Sequence, residues 1–171
     1  LKDTTEYKKI SSEYVRVEQH GPRQVLVVDP KGIEVLTQAA MTDVSFMLRS
    51  SHLQKLNNIL QDPEATDNDR FVAYNLLQNA TVAAEGQLPS CQDTGTAIVV
   101  AKKGEDVYTG ANDAEALSKG IFNTYQERNL RYSQIVPLNM FEEKNSGSNL
   151  PAQIDLYTTK GMKYEFLFLA K

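Results

Sequence analysis

Apolar positions along the chain change period several times, and each change marks an element. Tyr14-Val15-Arg16-Val17-Glu18 alternates, and Gln24-Val25-Leu26-Val27-Val28 is a short β-branched run. With His20-Gly21-Pro22 between them, they read as two strands joined by a turn. Asp29-Pro30 opens a helix in which Ile33, Leu36, Ala40, Val44, Met47 and Leu48 fall near one face. Ser50 or Ser51 caps a second helix carrying Leu53, Leu56, Ile59 and Leu60, and Asp62-Pro63 ends it. Asp67-Asn68-Asp69-Arg70 starts a third, with Val72, Leu76, Ala80 and Ala83 on its more apolar side and Gly86 placed to stop it.

Beyond a polar segment at 88–96, Thr96-Ala97-Ile98-Val99-Val100-Ala101 is continuously apolar, as a strand covered on both faces would be. Lys103-Gly104-Glu105 turns the chain, and Asp106-Val107-Tyr108-Thr109 is expected to run back as its partner. Asn112-Asp113-Ala114-Glu115 has the form of a capping box with asparagine in the leading place, ahead of a helix carrying Leu117, Ile121, Tyr125 and Leu130. Asn145-Ser146-Gly147-Ser148-Asn149 is a turn cluster. Gln153 to Tyr157 and Tyr164 to Leu169 are expected to pair as a hairpin across Lys160-Gly161-Met162. Met47 and Tyr125 read as core positions. The class is α+β, an antiparallel or mixed sheet covered by several helices, in a single domain over residues 1–171.

Composition narrows the partners. Hydrophobic residues make up 41% of the chain and charged residues 23%, as in ordinary globular proteins. The net charge of −4 gives no attraction for a polyanion. The basic pair Lys102-Lys103, followed by Gly104-Glu105-Asp106, reads as a polar turn and not as a nucleic-acid footprint. No apolar run approaches the roughly 18 residues of a membrane span. Neither nucleic acid nor membrane is therefore an expected partner. One cysteine excludes an internal disulfide and suits a reducing compartment, the cytoplasm or, if a targeting segment has been removed, an organelle matrix. His20 and His52 have no acidic or metal-spaced neighbour and read as surface residues.

That cysteine lies in Leu88-Pro89-Ser90-Cys91-Gln92-Asp93-Thr94-Gly95-Thr96, where a thiol, an amide, a carboxylate and a glycine turn fall within a few residues. Loops ahead of strands are where functional side chains are displayed. On spacing alone, Cys91 is equally well a small packed apolar side chain. Asp93-Thr94-Gly95 is equally a turn with Asp93 accepting backbone hydrogens. Arg131 is more simply a solvated arginine near a helix end.

Pro89-Ser90-Cys91-Gln92-Asp93-Thr94-Gly95-Thr96 resembles the first iron–sulfur ligand motif of the class I fumarate hydratases. The likeness continues through Leu117-Ser118-Lys119-Gly120, Asn129-Leu130-Arg131-Tyr132-Ser133 and Ser148-Asn149-Leu150-Pro151-Ala152-Gln153-Ile154-Asp155-Leu156-Tyr157. Ordered motifs spread over the chain make it specific; the L-tartrate dehydratase α-subunits share the cysteine motif. The resemblance implies a hydro-lyase interconverting fumarate and (S)-malate at the open iron of a [4Fe-4S] cluster held by three cysteines. Cys91 would be one cluster ligand, because thiolates suit iron–sulfur clusters. Gln92, Asp93 and Arg131 would meet the small dicarboxylate substrate. The arginine suits a carboxylate through its planar fork, and Asp93 would assist acid–base work without being the base at C3. The segment from Asn149 to Gln153 shapes a pocket rim or is only a rigid turn, with Gln153 a structural support.

Only one of the three cysteines is present. The resemblance therefore implies an N-terminal, α-type part of a longer enzyme, or one subunit of a two-chain one, that forms a homo-oligomer. Such a part alone is expected to be inactive. Two other readings fit the residues: an L-tartrate dehydratase α-subunit, and a cluster-free module that binds a dicarboxylate or a protein.

Overall fold

The computed structural model describes residues 6–93 and 95–171. In chain order the elements are β1 (Val15–His20), β2 (Arg23–Val28), α1 (Pro30–Phe46), α2 (Ser50–Gln61), α3 (Asp67–Ala84), β3 (Ala97–Gly104), β4 (Val107–Tyr108), α4 (Asp113–Glu127), β5 (Ile135–Pro137), β6 (Glu143–Asn145), β7 (Gln153–Thr159) and β8 (Tyr164–Ala170). The class is α+β, as the hydrophobic periods indicate. Among the described residues no helix is long and apolar enough to cross a membrane. Two compact units are distinguished: one from Asp43 to Cys91, the other combining Lys9–Thr42 with Gln92–Lys171.

The unit ending at Cys91 is helical. Thr66 caps α3, its hydroxyl accepting from the Asp69 N–H at 3.2 Å while the Asp69 carboxylate accepts from the Thr66 N–H at 2.9 Å. This reciprocal cap satisfies two orphan donors, so the helix begins at Asp67 as its sequence indicates. No such device starts α2: Arg49, not Ser50 or Ser51, holds the cap position, and its side chain does not cap the helix. The buried side of α3 is Ala73, Ala80 and Ala83; Val72 and Leu76, expected there, are 46% and 41% exposed. Small residues let a neighbour approach closely, which outweighs hydrophobicity in choosing the inner face. Met47, expected in the core, lies one residue beyond the end of α1 and is exposed.

In the other unit, β1 and β2 form the expected antiparallel hairpin, and Gly21 supplies the positive φ of 59° its turn requires. Two expected pairings are overturned. The strand after Glu105 does not return along β3; β4 pairs in parallel with β2. Nor do β7 and β8 pair with each other: β3 lies between them, parallel to β7 and antiparallel to β8. Alternation identifies a strand but not its neighbour. The inward side chains of β3, Ala97, Val99 and Ala101, are almost completely buried, and a strand so apolar takes the central place. The β7–β8 connection then crosses the end of β3. Gly104 makes this possible, because a Cβ there would lie 2.0 Å from the Gly161 carbonyl oxygen.

α4 buries the expected stripe of Leu117, Ile121 and Tyr125 completely, and Leu130 follows it inside. The Asn112 side chain caps it, accepting from the Ala114 and Glu115 N–H groups. At Gly120 the helix meets α1 so closely that a Cβ would sit 2.6 Å from the Thr37 Cβ. The Glu34 carboxylate joins the same two helices, bonded to Lys119 at 2.8 Å and Lys31 at 2.9 Å.

Lys103 is not a turn residue. It lies on β3, and its ammonium reaches Asp113 Oδ2 at 2.7 Å and Thr109 Oγ1 at 2.8 Å. Thr109 donates to Asp113 Oδ1, and the Tyr164 hydroxyl donates to Oδ2 at 2.9 Å. Burial alone would raise the Asp113 pKa. The bonds from Lys103, Thr109 and Tyr164 outweigh it and hold the carboxyl below its ordinary value. A depressed native pKa contributes stability that is present above the unfolded value, about 4, and is lost as pH falls through the native one. Melting temperature is therefore expected to fall on acidification below about pH 4. That acid-limb slope should be shallower in Asp113→Asn, as scanning calorimetry across acid pH would read. An unchanged slope would mean that the cluster does not carry this linkage.

Candidate functional site

The described residues between 88 and 96 lie in no strand or helix, so their placement depends on individual hydrogen bonds. On the Cys91 side, the Ser90 N–H donates to the Ser45 carbonyl at 2.7 Å. The Cys91 N–H donates to Asn79 Oδ1 at 2.9 Å. Asn79 is an α3 residue that the sequence reading passed over; a polar side chain one position before the buried Ala80 was the available signal. The backbone of Cys91 is thus fixed while its thiol is free and exposed. This is opposite to the packing reading of a lone cysteine. The buried hydroxyls of Ser45 and Ser90 have no hydrogen-bond partner among the described residues.

From Gln92 onward the chain belongs to the other unit. Gln92 is half-buried and Asp93 exposed. Arg131, 39 residues further on, donates from Nη1 to the Gln92 carbonyl at 2.9 Å. Two of the residues expected to meet substrate are therefore brought together, and the guanidinium keeps its remaining N–H groups uncommitted among the described residues. Arg131 is exposed, yet it is tied to this segment and is not a freely solvated helix-end residue.

Gly95 is what lets the two segments close up. Its φ is +70°, and a Cβ there would lie 3.3 Å from the Arg131 carbonyl oxygen. The Gly95 N–H donates to the Lys171 carbonyl at 2.5 Å, and its own carbonyl accepts from the buried Tyr125 hydroxyl and from Asn149 Nδ2. Burial pushes the Tyr125 pKa up, with the Asn149 contact opposing it, so the phenol stays a donor at neutral pH. Tyr125, read from the sequence as core, is core with a polar task. Thr94, part of the motif, lies outside the described residues.

Gln153 is exposed on β7, with its amide bonded to Asp155 at 3.0 Å. His52 is exposed as expected. His20 is exposed too, but it has an acidic partner after all, Glu18 Oε2 at 3.1 Å. Among the described residues, no group of three or more histidine, cysteine, aspartate or glutamate side chains could hold a metal ion. One exposed thiol on a fixed backbone fits a single thiolate ligand of an iron–sulfur cluster and not a complete ligand set.

The bond from Asn79 is open to a direct check. A net contribution of about 1 kcal/mol for such a bond corresponds to roughly a fivefold change in local opening. Asn79→Ala is expected to speed hydrogen exchange at the Cys91 amide by about that factor and to leave β3 amides unchanged. Equal exchange at Cys91 in the two proteins would show that Asn79 does not hold it.

Comparison with known proteins gives a consistent result. The family described as fumarate hydratase (Fumerase) matches residues 34–171. The chain is 52% identical over 170 residues to the aerobic class I fumarate hydratase of Escherichia coli strain K12, covering 99% of this chain and 31% of that protein. It is 53% identical over 170 residues to the anaerobic class I fumarate hydratase of the same strain, with the same coverage. To the mitochondrial fumarate hydratase 1 of Leishmania major it is 52% identical over 169 residues, 98% of this chain and 31% of that one. The chain thus spans about a third of the length of these relatives.

Proposed function

The chain belongs to the fumarate hydratase family, and we propose that it forms part of a hydro-lyase that interconverts fumarate and (S)-malate. The observation that carries this reading is the bond from Arg131 to the Gln92 carbonyl, directly after an exposed, backbone-fixed cysteine. It ties the Arg131 guanidinium to the backbone of the segment that carries the Gln92 amide and the Asp93 carboxyl group.

The chemistry assigns each a task. A dicarboxylate must be fixed in orientation before a proton and a hydroxyl can be removed from adjacent carbons. Arg131 binds one carboxylate through its uncommitted N–H groups, as a planar fork does best. The Gln92 amide donates to a substrate oxygen and helps fix the carbon skeleton. Asp93, exposed and next in sequence to Gln92, takes part in proton transfer at the hydroxyl end; a carboxylate close to an anionic substrate is unfavourable in any purely binding role. Cys91 would supply one thiolate ligand to a [4Fe-4S] cluster, with the remaining thiolates supplied from outside these 171 residues. Such a cluster supplies a Lewis acid, which the departure of hydroxide requires.

The test is anaerobic reconstitution of the full-length protein, with cluster uptake read from its visible absorption and hydration from loss of fumarate absorbance. Cys91→Ala is expected to lose both. Arg131→Lys is expected to keep the cluster and raise the KM for fumarate about tenfold or more, the signature of lost carboxylate binding. If Cys91→Ala takes up iron and hydrates fumarate as the wild type does, the assignment of Cys91 is wrong.

A further inference from the structure

The three conspicuous motifs leave one residue without a task. Asn149 is completely buried, with its backbone in the left-handed region at φ +56°. Its Nδ2 donates to the Gly95 carbonyl at 2.6 Å. Its Oδ1 accepts from the Ser133 N–H at 3.2 Å and from the Gln134 N–H at 3.0 Å. The amide orientation is set by these partners, because the reverse would put an NH2 group against two N–H donors and a carbonyl against a carbonyl.

Gly95 lies three residues after Gln92, and Ser133 two residues after Arg131. The Arg131 to Gln92 bond closes the path on the other side. Asn149, Gly95, Gln92, Arg131 and Ser133 therefore form one closed ring of covalent chain and hydrogen bonds. A second rung beside it joins the Thr96 hydroxyl to Gln134 Oε1 at 2.9 Å. The Tyr125 hydroxyl takes up the other side of the Gly95 carbonyl. No regular ladder connects these two segments, so this ring sets their separation. A buried amide bonded to three backbone groups cannot be exchanged for an apolar side chain without losing three hydrogen bonds at once.

We infer that Asn149 is a positioning residue: it clamps the Gln92–Asp93 segment to the Arg131 segment and so fixes the spacing at which the two ends of a dicarboxylate are gripped. The inference rests on the function proposed above. It predicts that loosening the clamp weakens substrate binding more than it slows the chemical step.

The experiment uses the full-length protein, reconstituted anaerobically, as wild type and as Asn149→Gly, Asn149→Asp and Tyr125→Phe. Asn149→Gly keeps the left-handed backbone available and removes only the amide. It is expected to raise the KM for fumarate about tenfold with kcat changed less than about threefold, the pattern of a misplaced binding group. Hydrogen exchange should rise together in residues 92–96 and 131–134 and not in β3. Asn149→Asp keeps the acceptor for Ser133 and Gln134 but sets a carboxylate against the Gly95 carbonyl. Its KM should recover toward wild type as pH is lowered, because a protonated carboxyl again donates. That recovery would not follow from a merely structural role. A KM within twofold of wild type in a folded Asn149→Gly protein would overturn the inference, as would exchange that rises in one segment alone. If Asn149→Gly does not fold, the pH response of Asn149→Asp and the exchange of Tyr125→Phe in residues 92–96 decide. If the wild type itself does not hydrate fumarate, the proposed function fails, and the paired exchange response alone then upholds or defeats the clamp.

Discussion

The carbonyl of Gly95 accepts from two buried donors, the Tyr125 hydroxyl and the Asn149 amide, and the local structure around the motif depends on that one acceptor. The described residues of its segment lie in no sheet or helix until Ala97. A backbone stretch of this kind stays in one conformation only if its polar groups are satisfied from elsewhere. Tyr125 comes from a completely buried stripe of α4, and Asn149 from the loop ahead of β7. The segment therefore inherits its rigidity from the packed helix and the central sheet. Gly95 is required at the point of contact, where the φ of +70° and the approach of the Arg131 backbone leave no room for another residue's comfort.

The frame behind it is built around β3. Its inward side chains are buried, its two neighbours come from far along the chain, and its Lys103 ends in a buried polar cluster with Asp113, Thr109 and Tyr164. The cation and carboxylate in that cluster are mutually bonded and supported by two hydroxyls, the condition under which buried charge is tolerated. Such a cluster specifies how β3, β8 and the start of α4 meet. Apolar side chains could fill the same space without fixing the same register.

Much of this was legible in the residues, and what was not has identifiable causes. Alternation located β1, β2, β7 and β8, and the stripe Leu117, Ile121 and Tyr125 located α4, because local period reports which face is buried. The β1–β2 pairing was legible, but the neighbours of β3 and β4 were not: the turn at Lys160–Met162 looks like a hairpin, yet β3 sits between the strands it joins. Long-range pairing is decided by which strand most needs both faces occupied. Cys91, Gln92, Asp93 and Arg131 stood out through a resemblance carried by contiguous motifs. The bond that brings Arg131 to Gln92 spans 39 residues and leaves no mark in local sequence. Asn79 and Asn149 were missed as working residues because an asparagine in a helix or a turn cluster looks ordinary until its amide is seen on a particular backbone group.

Family membership and geometry meet at Arg131. The family gives the expectation of a dicarboxylate, and the fold supplies a guanidinium held by one N–H, with the others uncommitted among the described residues. The most direct measurement of this account is a crystal structure of the full-length protein grown anaerobically with (S)-malate. The account predicts a substrate carboxylate paired with the Arg131 guanidinium, the Gln92 amide within hydrogen-bond distance of the substrate, and the Asn149 to Gly95 bond intact. Malate bound elsewhere, with Arg131 turned to solvent, would contradict it.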